Sequence, residues 1–390
     1  MPNVNPDVLV WARETAGLSR AQASKALLLN TGKIPGVEKL RQLEEGEKEA
    51  SRPLLARMAA VYRRPLLSFY LPTPPAKADR GEDFRTLPEE KRIENKGAID
   101  ALVRDVFVRQ ELVKSALIDI EDAYSRIVVG IAQADWGAEK FANILSNIIG
   151  FDLGEYRGYR KQEDAFSYLR DLVEQQGVFV LLIGNLGSHH TNIPVEVFRG
   201  FALADPVAPF IVINDLDSHS ARSFTLLHEL AHIAMGQTGV SGSMSELKIE
   251  KFCNEVAALI LLGDDDLSEI DWARLTIEQL VKKASGYAQP RNVSGSLIVY
   301  RLLLQGLITE DQWTQASERL RALWLLHRKA EKEEKAESSG PSYYVVKRYK
   351  LGGALIDVVN RTMRDGALTA TKAGRVLGVK PANVYNLIGV

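Results

Sequence analysis

The chain has 390 residues, 46% hydrophobic and 25% charged, which is enough apolar material for packed cores and far from the polar signature of disorder. With 49 Lys and Arg against 50 Asp and Glu, the net charge is −1, so no global basic field exists, and a nucleic-acid partner would have to be held by a local patch. The single cysteine, Cys253, excludes an intramolecular disulfide and a thiolate metal cluster. No stretch reaches the roughly 18 apolar residues that span a bilayer, and the start lacks a basic-then-apolar leader, so a cytoplasmic protein with no membrane partner is expected.

At roughly 100–200 residues per domain, the length predicts two to four domains. Residues 1–75 read as a small helical bundle, with apolar positions at helical spacing over 8–12, 21–28, 37–43 and 54–62 and Ser19 as an N-cap. Pro72, Pro74 and Pro75 close it, because proline fixes φ and removes a donor. This segment holds 11 Lys and Arg against 7 Asp and Glu, a local +4. The next domain spans 76–327, with a helical lead-in over 76–176 that contains a long helix over 98–123 and shorter ones near 138–149 and 164–175, the last stopped by Gly177. Three strand-like runs follow at 178–183, 197–203 and 209–214, and helices return over 220–235, 245–262 and 276–305. Strands embedded among helices predict an α+β class, mostly helical. Residues 328–342, charged and then Ser-, Gly- and Pro-bearing, read as a linker. The last fifty residues hold eight Lys and Arg against two Asp. There 343–390 predicts a basic helix-turn-helix-like unit with Thr369 opening one helix, Gly378 as a turn and Pro381 starting the next, suited to DNA or to protein contacts alike.

The chemistry concentrates in Leu226-Leu227-His228-Glu229-Leu230-Ala231-His232. Positions i and i+4 share a helix face, so His228 and His232 can hold one metal ion while Glu229 stands beside it to act on a water. A catalytic zinc wants a third protein ligand and an open position. Glu246, Glu250 and Glu255 all qualify, with Glu250 preferred because it follows His232 by eighteen residues, enough for a turn and a second helix. The remaining loop histidines His189, His190 and His219 read as surface groups. Arg199, Arg222, Tyr287 and Arg301 are candidates to stabilise an oxyanion. Ile211, Val212, Ile213 and Asn214 are predicted to form an edge strand that pairs with an extended substrate.

Four blocks occur in order: 197–201, 209–214, 222–232 and 250–258. Together they resemble the ImmA/IrrE family of zinc metallopeptidases. The resemblance implies a zincin-like, gluzincin-type fold, Zn2+ as the cofactor, His228, His232 and Glu250 as its ligands, and Glu229 as the general base. Residues 1–75, including Arg64-Pro65-Leu66-Leu67-Ser68-Phe69-Tyr70-Leu71-Pro72, resemble an Xre/Cro-type helix-turn-helix domain, with Gln22, Lys39, Arg41 and Gln42 as the implied contacts to double-stranded DNA. The chain departs from that pattern in a longer turn over 28–36 and in Glu44, Glu45 and Glu47, whose charges repel phosphates. The function implied is a regulatory zinc endopeptidase, of the stress-response or toxin–antitoxin kind, that cleaves a partner protein such as a repressor or antitoxin encoded nearby, with a homodimer as a candidate assembly. The alternative is a non-catalytic transcriptional regulator or antitoxin that uses the same fold for partner binding.

Overall fold

The computed structural model describes residues 4–30, 34–75, 89–133, 135–187, 191–236, 244–263, 267, 270–335 and 342–389, with the backbone alone of 89–96, 244–247 and 329–335. The turn residues 31–33, the boundary segment 76–88, His189, His190 and the linker portion 336–341 lie outside the described residues. The chain divides into two compact units, one built from Met1–Arg80, Phe84–Phe107 and Gly184–Phe198, the other from Gly81–Asp83, Val108–Ile183 and Arg199–Val390.

The first unit contains α1 (Pro6–Glu14), α2 (Arg20–Ala26), α3 (Gly36–Glu44), α4 (Arg52–Val61) and the opening turns of α5 (Glu89–Asp119). Ser19 and Gln22 form a reciprocal cap at the start of α2, Ser19 Oγ accepting from Gln22 N at 3.2 Å and Gln22 Oε1 from Ser19 N at 2.9 Å. Leu9, Leu27, Leu40, Leu55, Met58 and Phe69 fill the core. The Glu44 side chain is fully buried, and Arg13 and Arg20 reach it at 2.5 and 2.7 Å.

The second unit continues through α6 (Ala138–Ile149), α7 (Leu153–Gly158) and α8 (Gln162–Gln175) to a three-stranded sheet of β1 (Phe179–Leu182), β2 (Gly200–Leu203) and β3 (Phe210–Ile213). The order is β1-β3-β2, with β1 parallel and β2 antiparallel to β3. This corrects the substrate-strand expectation: Ile211, Val212 and Ile213 lie in the central strand, paired on both sides and fully buried. The uninterrupted apolar run Phe210-Ile211-Val212-Ile213 is what a strand covered on both faces requires. Asn214 is buried as well, and its Oδ1 accepts from Leu216 N at 3.0 Å, turning the chain toward the next helix.

Then come α9 (His219–Ala234), α10 (Met244–Leu261), α11 (Ile277–Ala288), α12 (Gly295–Leu304) and α13 (Glu310–Lys335). The single helix expected over 276–305 is broken at Asn292, which adopts φ 56° and donates to Tyr156 O and Tyr159 O at 3.0 and 2.8 Å. Helix α13 runs on through the first half of the expected linker, since Ala, Glu, Lys and Arg favour helix even without an apolar face.

The chain ends in α14 (Tyr343–Leu351), α15 (Gly353–Arg364), α16 (Ala370–Leu377) and α17 (Val384–Ile388). These share the second unit, with α14 and α15 packed on β1 and α15 on α8. At this seam Arg170 pairs with Glu174 at 3.0 Å, both side chains being buried, and donates to Val180 O and Tyr349 O. Glu174 Oε2 in turn accepts from Ala354 N at 3.0 Å, and Lys350 pairs with Asp215 in the loop between β3 and α9. Burial raises the Glu174 carboxyl, against the pull of Arg170.

Removing one partner from a buried pair strands the other. Glu174→Ala should therefore lower the unfolding free energy in denaturant titrations by about 3–5 kcal/mol. Glu278→Ala, which removes the exposed Arg319 pair at 3.1 Å, should change it by less than about 1 kcal/mol. Equal effects would contradict the seam.

Candidate metal centre

Helix α9 starts at Ser218, whose Oγ accepts from Ala221 N at 3.3 Å, and packs against β2, β3, α8 and α10. Leu226, Leu227, Leu230, Ala231, Ile233 and Ala234 are buried in that surround. At its far end, the Ile233 and Ala234 carbonyls accept from Gly130 N and Ala132 N at 3.2 and 3.0 Å, so the terminal carbonyls that a buried helix would leave orphaned are satisfied.

Helix α10 lies against α9 and α6, with Phe252 stacked on Phe141 at 5.6 Å between ring centroids, and it brings Glu250 to the two histidines. His228 Nε2 and His232 Nε2 are 3.2 Å apart. Glu250 Oε2 lies 3.3 Å from the first, and its Oε1 lies 3.2 Å from the second. The three donor atoms fall within 4.8 Å of one another, and no other group of three or more such donors occurs among the described residues.

Two imidazoles and a carboxylate are a donor set for a borderline transition metal such as zinc rather than for an all-oxygen ion. Burial lowers the pKa of His228, a shift that Glu250 only partly offsets. Burial also opposes the charged form of His232, but the Cys253 sulfur and the Glu250 and Glu229 carboxylates outweigh it and lift the group above the ordinary imidazole value. A divalent ion between the three donors would bring positive charge to the Glu250 carboxylate. The Nδ1 atoms of both histidines are buried without a hydrogen-bond partner, so the rings are turned to present Nε2 to one another and to Glu250.

Glu229 is buried next to the trio without being one of its donors. Its Oε1 lies 3.0 Å from where a Cβ on Gly200 would stand, and Thr225 Cγ2 lies 2.6 Å from the same point. The strand therefore comes close to α9 at Gly200 because no side chain intervenes. The sequence reading passed over Gly200, although a lone glycine in a strand pattern marks close approach.

Of the other candidate ligands, Glu255 lies outside the trio and acts on Tyr300, whose hydroxyl pKa is raised by burial and by that carboxylate. The Glu246 side chain lies outside the described residues. Cys253 is buried against His232, and burial raises its thiol. Arg222 donates to Asp217 O and Asp215 O at 3.1 and 2.7 Å and reaches His219 Nδ1 at 3.3 Å, which makes it a brace for the loop before α9. Tyr287 stacks edge-on with Trp272 at 5.8 Å and lies under Arg291. Arg301 is buried, and Arg199 pairs with Asp217 at 3.2 Å while remaining exposed.

In the first unit, each expected DNA contact is engaged within the chain. Gln22 is consumed by the cap at Ser19, Lys39 Nζ donates to Leu29 O at 3.1 Å, and Gln42 Nε2 donates to Glu38 Oε1 at 3.3 Å. Arg41 is held by Glu38, Glu45 and Glu47.

Residues 185–303 match the peptidase M78 family, described as the IrrE N-terminal-like domain. The match covers β2, β3, α9, α10 and the three clustered donors, and gives this part of the chain a metallopeptidase-like domain. No curated protein and no solved structure matches the chain significantly. No helix among the described residues is long and apolar enough to cross a membrane.

The trio should bind one divalent ion per chain. His232→Ala and Glu250→Ala should each lose most of that metal in elemental analysis after gel filtration. Wild-type metal content in both variants would remove the assignment.

Proposed function

We propose that the chain is a zinc-dependent regulatory endopeptidase that cleaves a partner protein, such as a repressor or antitoxin. The observation that carries this reading is Glu229: a buried carboxylate beside, but outside, the donor set His228, His232 and Glu250. A purely structural ion would have no use for it. When bound, the ion supplies Lewis-acid polarisation of a carbonyl and acidifies a water. Glu229 takes the proton from that water and returns it to the leaving amine, acting as general base and then general acid. Its burial between α9 and Gly200 keeps the carboxylate in place and limits competing solvent.

The substrate strand is better assigned to β2 than to β3, because β2 pairs with β3 on one side only. Asn214 N donates to Arg199 O, so alternation directs the backbone groups of Gly200 and Ala202 away from β3. Recognition of the partner would rest mainly on docking, a role suited to the helical first unit.

Glu229→Gln should keep the metal and the fold yet lower cleavage by about 10²–10⁴-fold, since an amide cannot accept the proton. The check is to incubate zinc-loaded wild type and variant with the proteins encoded beside this one and to map fragments by mass spectrometry. Undiminished cutting by the variant would refute the role of Glu229, and no cutting by wild type would favour a non-catalytic regulator. Gly200→Val, which forces a side chain against Thr225 and Glu229, should likewise retain metal and lose cleavage.

A further inference from the structure

The outer face of α11 carries a cavity that the metal centre does not use. Toward the core the helix buries Leu280, Val281, Ala284 and Ala288. Gln279, Lys282, Lys283, Gly286 and Tyr287 recur at three- and four-residue steps and so share a second face, a stripe about 12 Å long. Such a face ordinarily meets only water. Here the segment 270–275 stands against it, because Trp272 is buried, meets Tyr287 edge-on at 5.8 Å and donates from Nε1 to Leu267 O at 2.8 Å. Pro290 and Arg291, in the turn before Asn292, close the end of the stripe, and the walls bound about 680 Å³. A cavity of that volume holds a drug-sized ligand.

Its lining sorts by chemistry. Along the stripe the polar groups of Gln279, Lys282 and Lys283 come first, and Gly286, Tyr287 and Pro290 follow. Ile270 and Leu275 add apolar surface from the facing segment. No acid is among the described lining residues, and the described acids beside the cavity in sequence are paired elsewhere, Asp271 with Arg274 at 3.2 Å and Glu278 with Arg319 at 3.1 Å. Asp264, Asp265, Asp266 and Glu269 lie outside the described residues. Arg291 does not join the cationic end, since its guanidinium carbon sits 3.6 Å from the Tyr287 ring centroid and its Nη1 donates to Tyr287 O at 3.3 Å. Gly286 is the least expected member. Glycine is the poorest helix former after proline, yet Gly286 has no positive φ, and a Cβ there would meet nothing within 4 Å. Neither backbone conformation nor close packing calls for it, and its effect is to deepen the cavity floor.

We propose that this cavity binds one small anionic amphiphile, of the class of a medium-chain fatty carboxylate, with its head at Lys282 and Lys283 and its chain over Gly286 against Tyr287 and Pro290. Two ammonium groups supply point charges that suit an anionic head, while the apolar walls take the chain out of water. A nucleotide does not fit, because Tyr287 already carries Arg291 on its ring and a base finds no other ring in the described lining. An extended peptide does not fit either, because neither wall is a strand whose backbone could pair with it.

The test titrates the full chain with laurate by isothermal titration calorimetry, with dodecyltrimethylammonium as a probe of like chain and opposite charge. Wild type should bind one laurate per chain and should bind the cation at least about tenfold more weakly. The double variant Lys282→Glu, Lys283→Glu should weaken laurate binding at least about tenfold. Gly286→Met should weaken it comparably by filling the floor, with a melting temperature no lower than that of wild type, because methionine is the better helix former. Lys25→Glu, an exposed change in the first unit, should leave laurate binding unaltered. No laurate bound by wild type, equal affinity for the cation, wild-type affinity in the double variant, or an equal loss from Lys25→Glu would each overturn the proposal. So would sedimentation with phosphatidylglycerol vesicles that the double variant abolishes, which would move the site from a free amphiphile to a lipid surface. Because neither metal nor cleavage enters the readout, the proposal stands or falls apart from the peptidase reading.

Discussion

Burial of α9 is the constraint on which the second unit depends. Along sixteen residues, only His219, Phe224 and His228 are partly exposed, and the last two lie one turn apart. A helix so enclosed must satisfy its own terminal carbonyls, which the backbone of 130–132 does, and it must justify every polar side chain it buries. His232 and Glu229 are tolerable there because each faces charge: His232 meets Glu250, while Glu229 and His232 act on each other. The apolar packing fixes the helix, the helix fixes the spacing of the histidines, and α10 supplies the balancing carboxylate. The trio is thus positioned by packing that does not depend on its own polar groups.

Much of this was legible in the sequence where local rules and tertiary context agree. The i, i+4 histidines, the helix after them and the three strands all follow from period and spacing, and Glu250 falls where one turn and one helix can return the chain. Strand order is different in kind. Nothing local to Phe210-Ile211-Val212-Ile213 says which strands flank it, although its continuous apolar run is the mark of a central position and outweighs the idea of a free edge. The break at Asn292 was hidden for a similar reason, because it depends on Tyr156 and Tyr159, more than 130 residues away. The end of α13 erred in the opposite direction: the lack of an apolar face over 328–335 read as linker, although helix propensity carries the helix to Lys335.

The seam between the C-terminal helices and the sheet bears on how the two ends of the second unit communicate. Arg170 and Glu174 on α8 tie β1 to the ends of α14 and α15. Lys350 of α14 reaches Asp215 in the same loop that Arg222 braces from inside α9. The helix that bears His228 and His232 and helix α14 therefore share polar anchors around one short loop.

Local net charge explains less than the pairing of that charge. The first 75 residues carry +4 and the last fifty +6, a difference too small to distinguish a polyanion-binding surface from a solvated one. The placement of the acidic residues distinguishes them. In the first unit the carboxylates sit among the arginines: Glu44 takes Arg13 and Arg20, and Glu38, Glu45 and Glu47 take Arg41. A phosphate approaching there must displace a carboxylate from a guanidinium and meets the repulsion of the one displaced. The last 25 residues contain no Asp or Glu, and the nearest acids in sequence, Asp357 and Asp365, lie on or just beyond α15. The excess of positive charge in the first unit is therefore spent internally.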